Sequence, residues 1–172
     1  MKLHDESIEQ LIRIAEDCIM DGNCEQGKRL LESALYDEPG YPKLHFTLGW
    51  MYQYYQENRS MAIRYYELAI HFDNEYEDAY RNLSYLYFSE RMYPQANELL
   101  SKALCVNEMD KSFVYDRLGY IAEKQGNFPQ AIKYYRHALE VCMDNEDMVE
   151  LKKNIKRTRF KRFKKRIKRW QQ

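Results

Sequence analysis

The chain has 172 residues, with 27 Lys and Arg, 27 Asp and Glu, and a formal net charge of zero. That length suits one domain with a continuous core, and six Gly with four Pro argue against a loop-rich or all-β fold. Neutrality hides a split: residues 1–150 hold all 27 acids against 15 bases, net −12, whereas residues 151–172 hold 12 bases and no acid, so two electrostatic parts need separate explanations.

In chain order, residues 8–41 carry Leu11, Ile14, Ala15 and Cys18, then Gly27, Leu31, Ala34 and Pro39. Residues 42–76 carry His45, Leu48, Gly49 and Tyr52, then Ala62, Tyr66 and Ala69. Residues 77–110 carry Tyr80, Leu83, Ser84 and Tyr87, then Ala96, Leu100 and Ala103. Residues 112–145 carry Tyr115, Leu118, Gly119 and Ala122, then Ala131, Tyr135 and Ala138. The pattern recurs with a period of about 34 residues, the first copy being the most degenerate. Small residues at Gly49, Ser84 and Gly119, matched by Ala62, Ala96 and Ala131, let paired helices approach to about 8–10 Å. Turn signals at Asp21-Gly22-Asn23, Glu57-Asn58-Arg59 and Gly126-Asn127 break three of the copies into two helices. Pro94 and Pro129 sit where a first helical turn loses no hydrogen bond to proline.

These residues and their spacing resemble the tetratricopeptide-repeat (TPR) family. The resemblance implies an all-α, right-handed TPR solenoid of four helix-turn-helix repeats (8–41, 42–76, 77–110 and 112–145) forming a domain over 1–145. It further implies a concave face lined by the first helix of each repeat. Carried over position by position, that face takes Glu9, Ile12, Glu16, Ile19 and Met20 from the first repeat. The second gives Phe46, Trp50, Gln53 and Tyr54; the third gives Asp78, Arg81, Tyr85 and Phe88. The fourth gives Phe113, Asp116, Tyr120, Glu123 and Lys124. An aromatic groove with a few charges suits a peptide with apolar anchors. The clamp by which some relatives grip a chaperone's C-terminal carboxylate is excluded: of Phe46, Trp50, Asn82, Phe113 and Arg117 at its positions, only Asn82 and Arg117 fit.

Residues 146–158 read as a capping helix with Met148, Leu151 and Ile155 on its core face. Residues 159–172 extend it as a basic amphipathic segment. There Phe160, Phe163, Ile167 and Trp170 form a narrow apolar stripe among Arg159, Arg162, Lys165, Arg166 and Arg169. The stripe either packs back on the acidic repeats, of this chain or a second copy, or docks on an anionic membrane surface, nucleic acid or an acidic protein.

Cys18, Cys24, Cys105 and Cys142 form no C-x-x-C pair and have no zinc-like spacing to a His. Cys105 and Cys142 lie in apolar stretches and read as buried free thiols, which fits a reducing, cytoplasmic compartment. No apolar leader follows Met1 and no 18-residue apolar run occurs, so neither a secretory signal nor a membrane span is expected. No catalytic motif, metal site or cofactor site is found. The expected function is therefore a protein-binding adaptor or chaperone-like scaffold, existing as a monomer or weak homodimer. The alternatives are a targeting module acting through the basic helix and a self-associating structural protein.

Overall fold

In a computed structural model the backbone is described for residues 2–170 and the side chains for residues 6–167. The described residues form nine α-helices and no strand, an all-α helical repeat of the solenoid class. They fall into two compact units, Met1–Glu90 and Arg91–Gln172.

The first unit holds α1 (Lys2–Met20), α2 (Cys24–Asp37), α3 (Pro42–Tyr54), α4 (Arg59–Phe72) and α5 (Glu77–Ser89). The second holds α6 (Tyr93–Ala103), α7 (Lys111–Lys124), α8 (Phe128–Val141) and α9 (Asn145–Trp170). Pro42, Pro94 and Pro129 all stand in the first turn of a helix. Side chains close four helix starts: Asn58 accepts from the Met61 amide, Asp110 from the Ser112 and Phe113 amides, Asn127 from the Gln130 amide, and Asp144 from the Glu146 and Asp147 amides. Each satisfies amides that the helix cannot.

Four left-handed residues recur at one place. Gly22, Glu57, Arg91 and Gly126 have φ of 86°, 50°, 58° and 73°, and each lies two residues before the following helix. The turn that brings that helix into place needs this conformation. Glycine adopts it freely, whereas Glu57 and Arg91 do so against a Cβ penalty of about 1–2 kcal/mol.

The same packing device appears in both units. A Cβ added at Gly49 would stand 2.8 Å from the Tyr66 ring, and one at Gly119 would stand 2.7 Å from the Tyr135 ring. Both tyrosines are fully buried. Each hydroxyl donates to the residue one helical turn beyond its glycine: Tyr66 to Gln53 Oε1 at 2.8 Å, and Tyr135 to Glu123 Oε2 at 2.9 Å. The glycine thus admits a ring whose polar tip finds a partner, as buried tyrosine requires.

The first helix departs from expectation. Its buried face is Ile8, Ile12, Ala15 and Ile19, whereas Ile14 is 47% exposed and Leu11 and Cys18 are half-buried. Ile12 and Ile19, expected on the concave face, are core residues; Ile19 lies against Gly27 of α2. In the second repeat the equivalents of Leu11 and Cys18, His45 and Tyr52, are covered by the Phe72 and Tyr65 rings of the following helix; α2 carries Asp37 and Leu30 at those positions and offers no ring to cover that face of α1. Cys105, expected to be buried, is exposed just beyond α6, and Cys142 is half-buried beyond α8; all four cysteines are free.

In the second unit α9 runs unbroken from Asn145 to Trp170. Leu151 and Ile155 join Ala122, Ala131, Ile132, Tyr135 and Ala138 in one apolar cluster. Burying two such side chains contributes about 1.5–3 kcal/mol each. The docked face also includes Asn154 and fully buried Thr158, whose hydroxyl returns a hydrogen bond to the Asn154 carbonyl at 2.8 Å.

Candidate functional site

Within the first unit, α1, α3 and α5 turn side chains into one cavity of about 470 Å³. Glu16 and Met20 come from α1, Phe46, Thr47, Trp50 and Tyr54 from α3, and Asp78 and Asn82 from α5. Six residues expected on the concave face, Glu16, Met20, Phe46, Trp50, Tyr54 and Asp78, are thus brought together. Asn82, considered only as a position of the excluded clamp, and Thr47, a polar residue inside an otherwise apolar stretch, join them.

The rings are held from behind. Phe46 packs on Tyr66 and Tyr76 at centroid separations of 5.5 and 5.3 Å, and Trp50 meets Tyr55 edge-on at 5.0 Å. Tyr54 is 56% exposed and Met20 57%, so the cavity opens on adaptable apolar surface. Its polar groups are acceptors for the most part. Glu16 takes the Thr47 hydroxyl at 3.4 Å, and Asn82 donates to the Asp78 carbonyl at 2.9 Å. None of the eight lining residues is a cation.

Two bases on α3 and α5 are matched. Lys43 pairs with Glu9, which also accepts from the Tyr41 hydroxyl, and Arg81 pairs with Glu77. The field is negative: the Tyr76 phenol is pushed well above its usual range by burial first and then by Asp78, Glu9, Glu16 and Asp73. An aromatic-lined cavity that carries Glu16 and Asp78 and no cation favours an apolar group carrying positive charge. Of the other third-repeat positions, Tyr85 is 42% exposed, while Arg81 and Phe88 are half-buried.

The positions expected from the fourth repeat are engaged differently. The Arg117 guanidinium stands 5.2 Å from the Phe113 ring centroid, and the Lys124 ammonium stands 5.0 Å from that of Tyr120. Asp116 accepts from Asn154 of α9 at 3.2 Å; burial chiefly pushes its carboxyl up, against the pull of Arg117, Asn154 and Arg157. Glu123, expected on an open face, is buried. It takes Tyr135, both Arg157 Nε (3.1 Å) and Nη2 (2.8 Å), and Lys161 Nζ (2.8 Å). Burial alone would raise its pKa, but these three partners hold it at about 2. Arg157 and Lys161 reach it from α9, a pairing 34 to 38 residues apart that local sequence patterns do not register.

The tail residues sort by face. Lys165 donates to the Gly126 carbonyl at 3.2 Å, toward the hairpin turn. Arg159 and Arg162 line a cleft with α8, and Arg166 is exposed. Phe160, Phe163 and Ile167 are 56%, 58% and 41% exposed, so these three side chains of the stripe are not packed back on the described residues. The side chains of Arg169 and Trp170 lie outside the described residues. Among the described residues no cluster of His, Cys, Asp or Glu could hold a metal, and no helix is long and apolar enough to cross a membrane.

Comparison with known proteins places this geometry. The tetratricopeptide-repeat family model matches residues 112–145. The uncharacterized protein ycf37 of Cyanophora paradoxa is 31% identical over 97 residues, which cover 54% of this chain and 56% of that protein. The chain therefore spans about half the length of this curated relative. Among solved structures, pilF of Pseudomonas aeruginosa superposes with a TM-score of 0.70 at 21% identity, covering 92% of this chain and 74% of that one. A MamA protein gives 0.65 at 22% identity, covering 81% and 75%. BtubC from P. vanneervenii gives 0.69 at 18%, covering 90% and 72%. At these identities the likeness to the solved structures is one of fold.

Proposed function

We propose that this chain, a tetratricopeptide-repeat protein, acts as an interaction scaffold whose first unit grips a protein segment in the cavity between α1, α3 and α5. The observation that carries this reading is the composition of that cavity. Three aromatic rings and Met20 surround about 470 Å³, with Glu16 and Asp78 among the lining residues and no cation. A large apolar side chain fills such a space, and an adjacent Lys or Arg meets the carboxylates. The ligand class is therefore a segment pairing an aromatic or aliphatic anchor with a basic neighbour. The role is one of holding, without a chemical step.

The test is fluorescence anisotropy on labelled peptides that vary the anchor and its neighbour independently. The reading expects selection of apolar-plus-basic peptides. Trp50→Ala removes the central ring and weakens binding by about 2 kcal/mol or more, as hot-spot aromatics do. Asp78→Lys reverses the preference at the neighbour. A folded Trp50→Ala chain that binds as tightly as the parent contradicts the assignment, as does indifference of the Asp78→Lys chain to peptide charge.

A further inference from the structure

We propose that the outer face of the second unit is a docking surface for an anionic phospholipid membrane. The α9 stripe enters the headgroup–acyl boundary, and a basic cleft between α8 and α9 receives a lipid phosphate. This inference is independent of the peptide site in the first unit.

The first observation is orientation. At about 100° per residue, the stripe of Phe160, Phe163 and Ile167 lies roughly opposite the docked face of Leu151, Asn154, Ile155 and Thr158. From the sequence, with Met148, Leu151 and Ile155 as the docked face, the separation reads as only about 100°. The buried Asn154 and Thr158 turn that face further round. The packing that fixes α9 to the repeats therefore aims its rings outward, where they are 41–58% exposed. Contiguous exposed aromatics on a soluble surface call for a partner.

The second observation is how the cations divide. On the flank of α9 that meets α7, Arg157 and Lys161 are matched by Glu123. On the other flank of α9, between the docked face and the stripe, Arg159 and Arg162 with Lys133 and Arg136 of α8 line a cleft of about 360 Å³. None of these four makes an ion pair or hydrogen bond among the described residues. The cleft's one carboxylate, Glu140, faces His137 Nδ1 at 3.0 Å. Four unmatched cations converging from two helices form a basin that favours an anionic group, and Lys133 and Arg136 belong to the repeat body, not to the basic tail.

The third observation chooses the partner. Cations beside a central apolar stripe fit a lipid interface, which offers phosphate at one depth and hydrocarbon just below. The Lys164 ammonium above the Phe160 ring, 4.6 Å from its centroid, can extend toward headgroups while the ring inserts. Duplex nucleic acid supplies phosphates but takes up isolated apolar wedges between base steps, not a stripe running two turns along a helix, and Ile167 has no ring with which to stack on a base. Since no described helix can cross a membrane, the helix would lie along the surface.

The experiment is co-sedimentation of the full chain with phosphatidylcholine vesicles, with and without phosphatidylserine. A short DNA duplex and a short RNA duplex are titrated in the same buffer, and mass in solution is measured in parallel. Vesicles containing phosphatidylserine should bind at least about tenfold more tightly than neutral ones, and salt should weaken the binding. The triple change Phe160→Ser, Phe163→Ser, Ile167→Ser should weaken vesicle binding at least about tenfold without altering helix content. Lys133→Gln with Arg136→Gln, outside the tail and on an exposed face, should reduce the preference for phosphatidylserine while leaving the residual affinity for neutral vesicles unchanged. Equal binding to both vesicle types overturns the proposal. So does a stripe variant that sediments like the parent. Duplex binding tighter than vesicle binding would assign the face to nucleic acid, and a dimer mass abolished by the stripe change would assign it to a second copy.

Discussion

Replacing Glu123 by Gln tests the internal logic of the second unit, because that carboxylate joins α7, α8 and α9. Its side chain is 3% exposed and has three partners: Tyr135, Arg157 and Lys161. The folded pKa of about 2 lies below the ordinary value of 4.5. A depressed carboxyl pKa stabilises the fold fully above the unfolded value, and the contribution is lost as pH falls toward the folded one. Between pH 6 and pH 3 the linkage amounts to about 2 kcal/mol. Because the Arg157 and Lys161 side chains are 44% and 48% exposed, solvent screening trims this to about 1–2 kcal/mol. The assay is urea unfolding at both pH values for the parent chain and for Glu123→Gln. The parent should lose about 1–2 kcal/mol more than the variant on acidification, since Gln cannot titrate. At pH 6 the variant should be less stable by about 1–3 kcal/mol, because an amide serves three donors less well than a carboxylate. Parallel losses for both chains would refute the linkage between the repeats and α9.

Other consequences follow from particular contacts. Gly119→Ala drives a methyl into the Tyr135 ring and should destabilise by about 1–3 kcal/mol, more than the roughly 1 kcal/mol that alanine contributes to helix propensity; thermal unfolding measures it. Glu57→Gly relieves a left-handed turn residue and should raise stability by about 0.5–1 kcal/mol, whereas Gly126→Ala at the matching position should lower it by a similar amount. Trp50→Ala should leave the fold intact yet remove peptide binding, which circular dichroism and anisotropy separate.

The repeat was legible because it rests on local, recurring chemistry. Leu48-Gly49 and Leu118-Gly119, each followed by Ala62…Tyr66 or Ala131…Tyr135, encode a glycine that admits a ring. That pairing is visible as spacing before any coordinates. The rings at Phe46, Trp50 and Tyr54 were legible as a face for the same reason. What escaped depended on the neighbouring helix or on distant partners. Ile12 and Ile19 are buried, and Ile14 exposed, where α2 lacks the rings that cover the matching face of α3, a difference the repeat frame does not encode. Glu123 looked like an open-face residue because its partners, Arg157 and Lys161, lie in a helix outside the repeat. Glu57 and Arg91 gave no sign of a left-handed turn, since only glycine advertises one. The basic cleft needed α8 and α9 to meet, with Lys133 and Arg136 some 23 to 29 residues from Arg159 and Arg162.

The central claim is that the cavity between α1, α3 and α5 receives an apolar anchor beside a basic residue. Trp50 and Trp170 are the two tryptophans, so Trp170→Phe leaves Trp50 as a single reporter inside that cavity. The direct measurement is Trp50 emission as an apolar-plus-basic peptide is titrated in. A saturable blue shift, absent with a peptide whose anchor is Ser, is the predicted result. An unchanged emission spectrum at peptide concentrations that saturate anisotropy would place the peptide elsewhere and contradict the assignment.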